Sequence, residues 1–587
     1  MANSDRPLLA GDGTNSDISN EREAEEEDAL LTRQNTNRSN RPVWREYMLL
    51  GWALAATIAL VVLAVFYQHK QTTQDRSNDT DSPKATGKRN LIFMVSDGMG
   101  PASLSLTRSY RQYEQGLPID DLLTLDEHLI GNSRTRSTSS LITDSAAGAT
   151  AFSCGKKSYN GAISVLPDHT PCGTVLEAAK RAGYMTGLVV TTRITDATPA
   201  CFASHVHMRE EEDSIARQLI GDHPLGHQVD LLFGGGRCHF QPRNEGGCRA
   251  DGVDVISMAK DKGYKYIHTR EEFDSLNGGN GVKLPLLGLF AFADIPFELD
   301  RRNQNDVYPS LEEMARTAMS ALAAATTDND KGFFLLIEGS RIDHGGHNND
   351  PAAQVHEVMA YDRAFASVID FLEKDDTDGI AIGTSDHETG GLSIARQLQK
   401  DYPDYIWYPE VLSNVSRSAE NLAHYFKRGP HKDNLTSEII QQEIEVGLGI
   451  TDWTSDEIAS VLSAYQGLEG AKYELADMIS RRAQIGWSTH GHSAVDVNIY
   501  GSSAKHAGAL AGNHENTDVG KFLHEYLDLS LDDVTEDLKM KTQLEEWAWM
   551  HVSGPGKSSQ VSSFAKQHGS DSHRLQIEIE ETDRAEL

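Results

Sequence analysis

The sequence predicts an α/β fold: a large central, mostly parallel β-sheet flanked by helices on both faces, with an inserted subdomain and an N-terminal transmembrane helix. Three observations predict it. From residue 89 onward, strand-length apolar runs alternate with helical text, and repeated βα units build parallel sheets covered on both sides. The runs are continuous rather than alternating, as in Phe333 to Ile337, which is what a strand buried on both faces needs. Finally, Tyr47 to Tyr67 is almost uninterruptedly apolar and carries no charge, about the length that crosses a bilayer core as a helix.

Taken in order, residues 1–46 are polar, charged and poor in apolar side chains, and read as a disordered cytoplasmic tail. Within it Asp5-Arg-Pro-Leu-Leu9 and Glu26-Glu-Asp-Ala-Leu-Leu31 resemble acidic dileucine sorting signals, which adaptor proteins read as addresses. The 47–67 stretch lies too far inside the chain for a cleaved signal. Arg33, Arg38, Arg41 and Arg45 precede it and only Lys70, Arg76 and Lys84 follow closely, a bias toward a cytoplasmic N-terminus and a luminal remainder. Residues 68–88 read as a luminal stem, 89–550 as the catalytic domain, 392–487 as a crown-like insertion within it and 551–587 as a flexible tail. Asn78, Asn414 and Asn434 open glycan-acceptor triplets on the luminal side. A formal net charge of −33 argues against nucleic acid as a partner.

Five cysteines fall in the luminal part, where disulfides persist. Cys238 and Cys248 close a short Gly-rich loop and are the expected first pair. Cys172 with Cys201 is the candidate second, leaving Cys154 reduced.

Thr174-Val-Leu-Glu177 reads as a capping box opening a helix that Gly183 ends, with a strand at Met185 to Thr191. Ser310-Leu-Glu-Glu313 opens another, whose Leu311, Met314, Ala315, Ala318 and Leu322 keep helical spacing before the strand at Phe333. Val355 to Leu372 repeats the pattern before the strand at Ile380. Three strands run into metal-competent side chains: Asp97 after Asn90–Val95, Glu338, Asp343, His344 and His347 after Phe333–Ile337, and Asp386 and His387 after Ile380. In open α/β sheets ligands collect beyond the carboxyl ends of the strands. Gly339, Gly345 and Gly346 place the second set on a loop rather than a helix.

Ligand chemistry divides these residues. Asp343, His347 and His490 offer oxygen and nitrogen to one divalent ion and Asp97, Asp386 and His387 to another, donor sets that suit zinc. Thr198 and Glu338 with a second Asp97 oxygen form an all-oxygen set fit for magnesium. Ser145, in Asp144-Ser-Ala-Ala, opens a helix whose N-terminus favours an anion. Arg209 adds a planar fork for two phosphate oxygens.

Asp97-Gly-Met-Gly, Asp144-Ser-Ala-Ala, Asp196-Ala-Thr-Pro, Glu338-Gly-Ser-Arg-Ile-Asp343, Ser385-Asp-His387 and Thr489-His-Gly491 together resemble the alkaline phosphatase family over roughly Arg89 to His551. The anchored N-terminus is most similar to its fungal vacuolar members. The resemblance implies a homodimeric metalloenzyme with two Zn2+ and one Mg2+ per subunit that hydrolyses many phosphate monoesters. It implies Ser145 as the nucleophile that becomes phosphoserine and Arg209 as the grip on the phosphoryl oxygens. Asp196 with His344 departs from the Asp/Lys and His/His combinations of bacterial and animal members, and His492 takes a supporting place behind His490. Phosphodiesterase, sulfatase or phosphomutase chemistry on the same scaffold is the rival reading, set apart by Ser145, where those relatives carry Thr or modified Cys. An inactive metal-holding glycoprotein is the other.

Overall fold

A computed structural model of the 587-residue chain describes residues 87–465, 468–503 and 506–544, with Trp52 and Thr57. The predicted tail with its dileucine pieces, the rest of the 47–67 stretch, the stem with Asn78 and residues 551–587 lie outside the described residues. Among the described residues no helix is long and apolar enough to cross a membrane. The chain divides into two units between Thr86 and Gly87, and the second carries the fold.

Its centre is β1 (Arg89–Val95), buried at every position. On one side β1 pairs with β7 (Phe333–Glu338), followed by β3 (Met185–Arg193), β4 (Leu231–Gly235), β6 (Leu286–Leu289) and β5 (Lys265–Ile267). On the other side lie β8 (Asp378–Thr384), β13 (Val497–Gly501), β2 (Leu129–Arg134) and β14 (Gly512–Glu515). The sheet is mixed: β13 runs antiparallel to both neighbours, while the other pairs are parallel.

Alternation in β1 feeds two cores. Leu91, Phe93 and Val95 pack with the helices Ser145–Cys154, Val175–Arg181 and Ala197–Ala203, whereas Ile92 and Met94 pack with the helices Leu311–Ala325 and Pro351–Lys374. Each large apolar side chain so buried contributes roughly 1.5–3 kcal/mol. Phe93 meets Phe152 edge-on, 5.3 Å between centroids, which seats the Ser145 helix on the central strand. Thr174 and Ser310 form the capping boxes expected of them.

Two expectations are corrected. The residues after β7 form a helix, Arg341–His347, and not a loop. Its glycines serve close packing: a Cβ at Gly345 would sit 3.2 Å from Gln354 and one at Gly346 2.9 Å from Thr389, and that contact outweighs the weak helix preference of glycine. Cys238–Cys248 is bonded, but the second disulfide is Cys154–Cys172. Cys154 ends the Ser145 helix beside Cys172, while Cys201 is buried and reduced, its thiol directed at the Ala146 carbonyl, 3.4 Å away.

Residues 392–487 build a third core. Leu412, Leu422, Ile444, Val461, Leu475 and Ile479 pack together and against Leu106, Tyr110 and Val355. Asn414 and Asn434 are exposed on it. Two ribbons close its ends: β9 (Glu388–Thr389) pairs with β12 (His492–Ser493), and β10 (Ser393–Ile394) with β11 (Ile485–Gly486).

Asp300 accepts from the Ser418 backbone N–H (3.0 Å) beneath this segment. Burial, with help from the Glu420 and Asp350 charges, lifts its carboxyl to about 6. The folded state therefore holds this proton more tightly than the unfolded chain, so stability falls as pH rises from about 4 to about 6 and stays reduced above. Asp300→Asn should raise the thermal midpoint at pH 8 and not at pH 4, by the equivalent of about 3 kcal/mol at most; equal midpoints at pH 8 in calorimetry would contradict it.

Candidate active site and metal centre

The site forms where the carboxyl ends of β1, β7, β3 and β8 meet. Val95, in register with Thr384 and Glu338, brings the ends of β1, β8 and β7 level. Ser385 locks two of them, its hydroxyl donating to the Ser96 carbonyl (2.5 Å) while accepting from Met99 N–H (3.1 Å). Gly98, at φ +76°, lets the β1 loop approach the next ligand: a Cβ there would lie 2.5 Å from the Asp343 Cα.

Asp97, Asp386 and His387 come together. His387 Nε2 is 3.2 Å from Asp386 Oδ2, 3.6 Å from Asp97 Oδ1 and 3.1 Å from Ser145 Oγ. Asp343 and His347 come together with His492, not His490. His347 Nε2 is 3.3 Å from Asp343 Oδ2, and His492 Nε2 is 3.7 Å from Asp343 Oδ1 and 3.1 Å from His347 Nε2. The His492 ring stacks on His387 at 3.5 Å.

The exchange of the two histidines has a local cause. Gly491 N–H donates to the Thr489 hydroxyl (2.9 Å), and the chain bends at His490 and Gly491 before His492 enters β12 opposite Thr389. His490 turns outward onto Tyr473, 4.1 Å between centroids. It acts on its neighbour through backbone: its carbonyl accepts from His347 Nδ1, and its own Nδ1 donates to the His347 carbonyl (2.9 Å).

Hydrogen bonds fix all three imidazoles alike. His347 Nδ1 donates to His490 O and His492 Nδ1 to Thr143 O (2.7 Å). The Thr389 hydroxyl donates to Asp343 Oδ1 (2.5 Å) and accepts from His387 Nδ1 (3.2 Å). Each ring therefore shows an Nε2 lone pair to the site, the arrangement of ligating histidines. Thr389 has no place in the sequence motifs; its register opposite His492 reveals it.

Thr198, in the helix Ala197–Ala203, lies beside Glu338 at the end of β7. Ser340 donates to Glu338 Oε2 (2.7 Å) and accepts from Thr191 N–H (3.2 Å). Among the described residues none is a hydrogen-bond partner of Asp97 Oδ1, Thr198 Oγ1 or Asp386 Oδ2, all of them buried.

Ser145 is the first residue of its helix, 3 % exposed. The cap is Asp144, whose Oδ1 accepts from Ala147 N–H (3.0 Å) and Oδ2 from Gly161 N–H (2.8 Å). Arg209 spans toward both flanking acids, 2.8 Å from Asp196 Oδ1 and 3.7 Å from Asp144 Oδ2. Asp196 also accepts from Arg193 (3.1 Å). His344 accepts at Nδ1 from Arg341 Nε (3.1 Å), so Asp196 and His344 are each held by arginine.

Burial, then the charges of Asp386 and Asp343, pushes the Asp97 carboxyl well above the carboxylate range. Burial does the same to Glu338 and Asp386. It drives His387 and His492 down, with neighbouring imidazoles adding to it. Orphaned buried oxygens, mutually repelling carboxylates and three inward lone pairs fit divalent cations, whose charge inverts each of these penalties.

A serine at a helix terminus, beside a guanidinium and cation-fitted donor clusters on the rim of a doubly covered sheet, defines a metal-dependent hydrolase of the α/β class. The alkaline phosphatase family model matches residues 88–529. The repressible alkaline phosphatase of Saccharomyces cerevisiae is 54 % identical over 471 residues, 76 % of this chain and 83 % of that protein. The alkaline phosphatase of Schizosaccharomyces pombe is 48 % identical over 497 residues, 83 % of this chain and 90 % of that one. Among solved structures, a cold-active alkaline phosphatase from the psychrophile Shewanella sp. aligns with TM-score 0.63 and 31 % identity, covering 75 % of this chain and 99 % of that one. A TAB5 alkaline phosphatase variant with Mg bound in its M3 site aligns at TM-score 0.52 and 25 % identity, covering 76 % and 99 %. The chain belongs to the alkaline phosphatase family, which is metal dependent, and its function is that of a phosphomonoesterase.

Proposed function

We propose that the chain hydrolyses a broad range of phosphate monoesters to alcohol and inorganic phosphate through a phosphoserine at Ser145. The observation that carries this is the Ser145 hydroxyl at a helix N-terminus, 3.1 Å from the His387 Nε2 lone pair. In the first displacement Ser145 Oγ gives its proton to solvent water and attacks phosphorus, and the bond from phosphorus to the alcohol oxygen breaks, that oxygen taking a proton from solvent to leave as the alcohol. In the second, water gives up a proton and attacks the phosphoserine, the bond from phosphorus to Oγ breaks, and Oγ takes up a proton from solvent to restore the hydroxyl as inorganic phosphate leaves. Arg209, oriented by Asp196 and Asp144, presents its fork of donors to the phosphoryl oxygens, and the helix N-terminus adds its partial positive charge.

Asp343, His347 and His492 would hold one Zn2+, Asp97, Asp386 and His387 the other, and Asp97, Thr198 and Glu338 the Mg2+. When bound, such cations supply Lewis-acid stabilisation to the oxygens that gain charge and lower the pKa of water.

The same proposal covers the remaining assembly. Residues 47–67 anchor the chain as a single type II helix with the catalytic domain luminal, which the apolar length and flanking arginines support; the vacuole membrane is proposed on the resemblance of the anchored N-terminus to fungal vacuolar members of the family. The cytoplasmic tail offers its dileucine pieces to a sorting adaptor. Asn414 and Asn434, both exposed, suit luminal glycans, and the subunit pairs as a homodimer.

Elemental analysis of the purified chain should return two zinc and one magnesium. Chelation should abolish p-nitrophenyl phosphate turnover, and adding back both metals should restore it. Full activity after verified stripping would overturn the assignment.

A further inference from the structure

Large apolar side chains exposed singly are ordinary, and they become informative when they gather at one place. Four do so here. Leu141 and Ile142 are 74 % and 43 % exposed on the segment that leads into Ser145, Met208 is 40 % exposed immediately before Arg209, and Val495 is 46 % exposed three residues after His492.

Hydrogen bonds and packing lace these segments into one rim. Asn160 accepts from Asp144 N–H at Oδ1 (3.4 Å) and donates from Nδ2 to the Ile142 carbonyl (3.2 Å), while its own N–H donates to the Ser139 hydroxyl (3.0 Å). A Cβ at the next residue, Gly161, would lie 2.8 Å from Met208 Cε, so the thioether methyl covers that glycine. Gly161 N–H donates to Asp144 Oδ2 (2.8 Å), the oxygen that Arg209 Nη1 approaches to 3.7 Å. Tyr159 ties down the Met208 side by donating to the His207 carbonyl (3.0 Å), and His492 ties down the Val495 side by donating from Nδ1 to the Thr143 carbonyl (2.7 Å).

The direction of the reaction decides what this rim meets. In phosphoryl transfer the attacking and departing oxygens lie in line, on opposite sides of phosphorus. Ser145 attacks from the buried end of its helix, so the departing alcohol faces the opening, where these exposed side chains stand. An apolar alcohol and an apolar rim both shed water on contact, whereas a polyol would have to strip its hydroxyls without finding partners.

We propose that Leu141, Ile142, Met208 and Val495 form an apolar collar that binds the alcohol part of the substrate and biases the chain toward monoesters of alkyl and aryl alcohols over those of polyols. The inference rests on the phosphatase reading, and wild-type turnover of p-nitrophenyl phosphate, measured first, tests that reading separately.

The experiment measures kcat/KM on the full metal-loaded chain for ethyl, butyl and hexyl phosphate. Their alcohols differ little in basicity, so the trend reads contact rather than leaving-group chemistry. The wild type should gain about twofold per methylene, below the roughly fourfold of complete burial, and should prefer propyl phosphate to glycerol 1-phosphate by about tenfold. Leu141→Ser combined with Met208→Ser should cut the chain-length trend by more than half, while bound metal and the inhibition constant of inorganic phosphate stay at wild-type values. Met208→Leu, which conserves volume, should keep the trend. Val495→Ser, on a separate segment, should lower it independently and serves alone if the double variant does not fold. A flat trend in the wild type or an undiminished trend in the serine variants would overturn the proposal. So would loss of the trend together with a change of oligomeric state in sedimentation, which would give the patch to a second copy of the chain.

Discussion

Ser145→Ala is expected to lose labelled phosphoenzyme entirely and turnover by roughly three to six orders of magnitude, the range seen when a covalent nucleophile is removed from an otherwise intact site. The prediction is specific because Ser145 holds up little else. The helix is capped by Asp144, which keeps its bonds to Ala147 and Gly161 in the variant, and the Phe93–Phe152 contact is untouched. Metal content and thermal midpoint should therefore stay at wild-type values. Acid quenching after brief exposure to labelled inorganic phosphate is the measurement, and label retained in the alanine variant would place the nucleophile elsewhere.

The second large effect separates two histidines of the same motif. His492→Ala should remove about one zinc per chain, because it deletes an Nε2 lone pair 3.1 Å from that of His347. His490→Ala should leave the donor set complete and keep the tie of the His347 ring, since the alanine carbonyl still accepts from His347 Nδ1, while removing the bond from the His490 ring to the His347 main-chain carbonyl. Loss of an orienting contact behind a ligand is worth roughly ten- to hundredfold in affinity or activity, so His490→Ala should fall at or below that range and His492→Ala well beyond it. Zinc analysis with p-nitrophenyl phosphate kinetics checks both. The reverse order would restore His490 as the ligand.

Much of this arrangement was legible in the residues, and the misreadings have physical causes. The central strands announce themselves because burial on both faces demands unbroken apolar runs, as at Phe333 to Ile337, and the capping boxes at Thr174 and Ser310 are local devices that need no tertiary context. The helix Arg341–His347 was hidden because glycine propensity is a local quantity, while the reason for Gly345 and Gly346 is the approach of Gln354 and Thr389 from elsewhere in the chain. His490 and His492 are the same residue two positions apart, and only the bend at Gly491 decides which one faces inward. Cys154 and Cys172 likewise meet through the packing of the Ser145 helix and not through any spacing rule. The antiparallel β13 could not be read from five residues whose pattern is the same in either direction.

The ribbons β9–β12 and β10–β11 carry a consequence for rebuilding such enzymes. Residues 389 and 492 face each other across a ribbon, so the long excursion between them leaves and re-enters at one doorway, and its contour length does not set where His492 lands. A shorter or longer cassette spliced inside that doorway should leave the hydrolytic centre aligned so long as Thr389 keeps its partner. What the graft would change is the support that the native excursion lends from outside, and a donor segment lacking an acid at the place of Glu420 would leave Arg341 and Asn348, on and just after the ligand-bearing helix, without that acceptor.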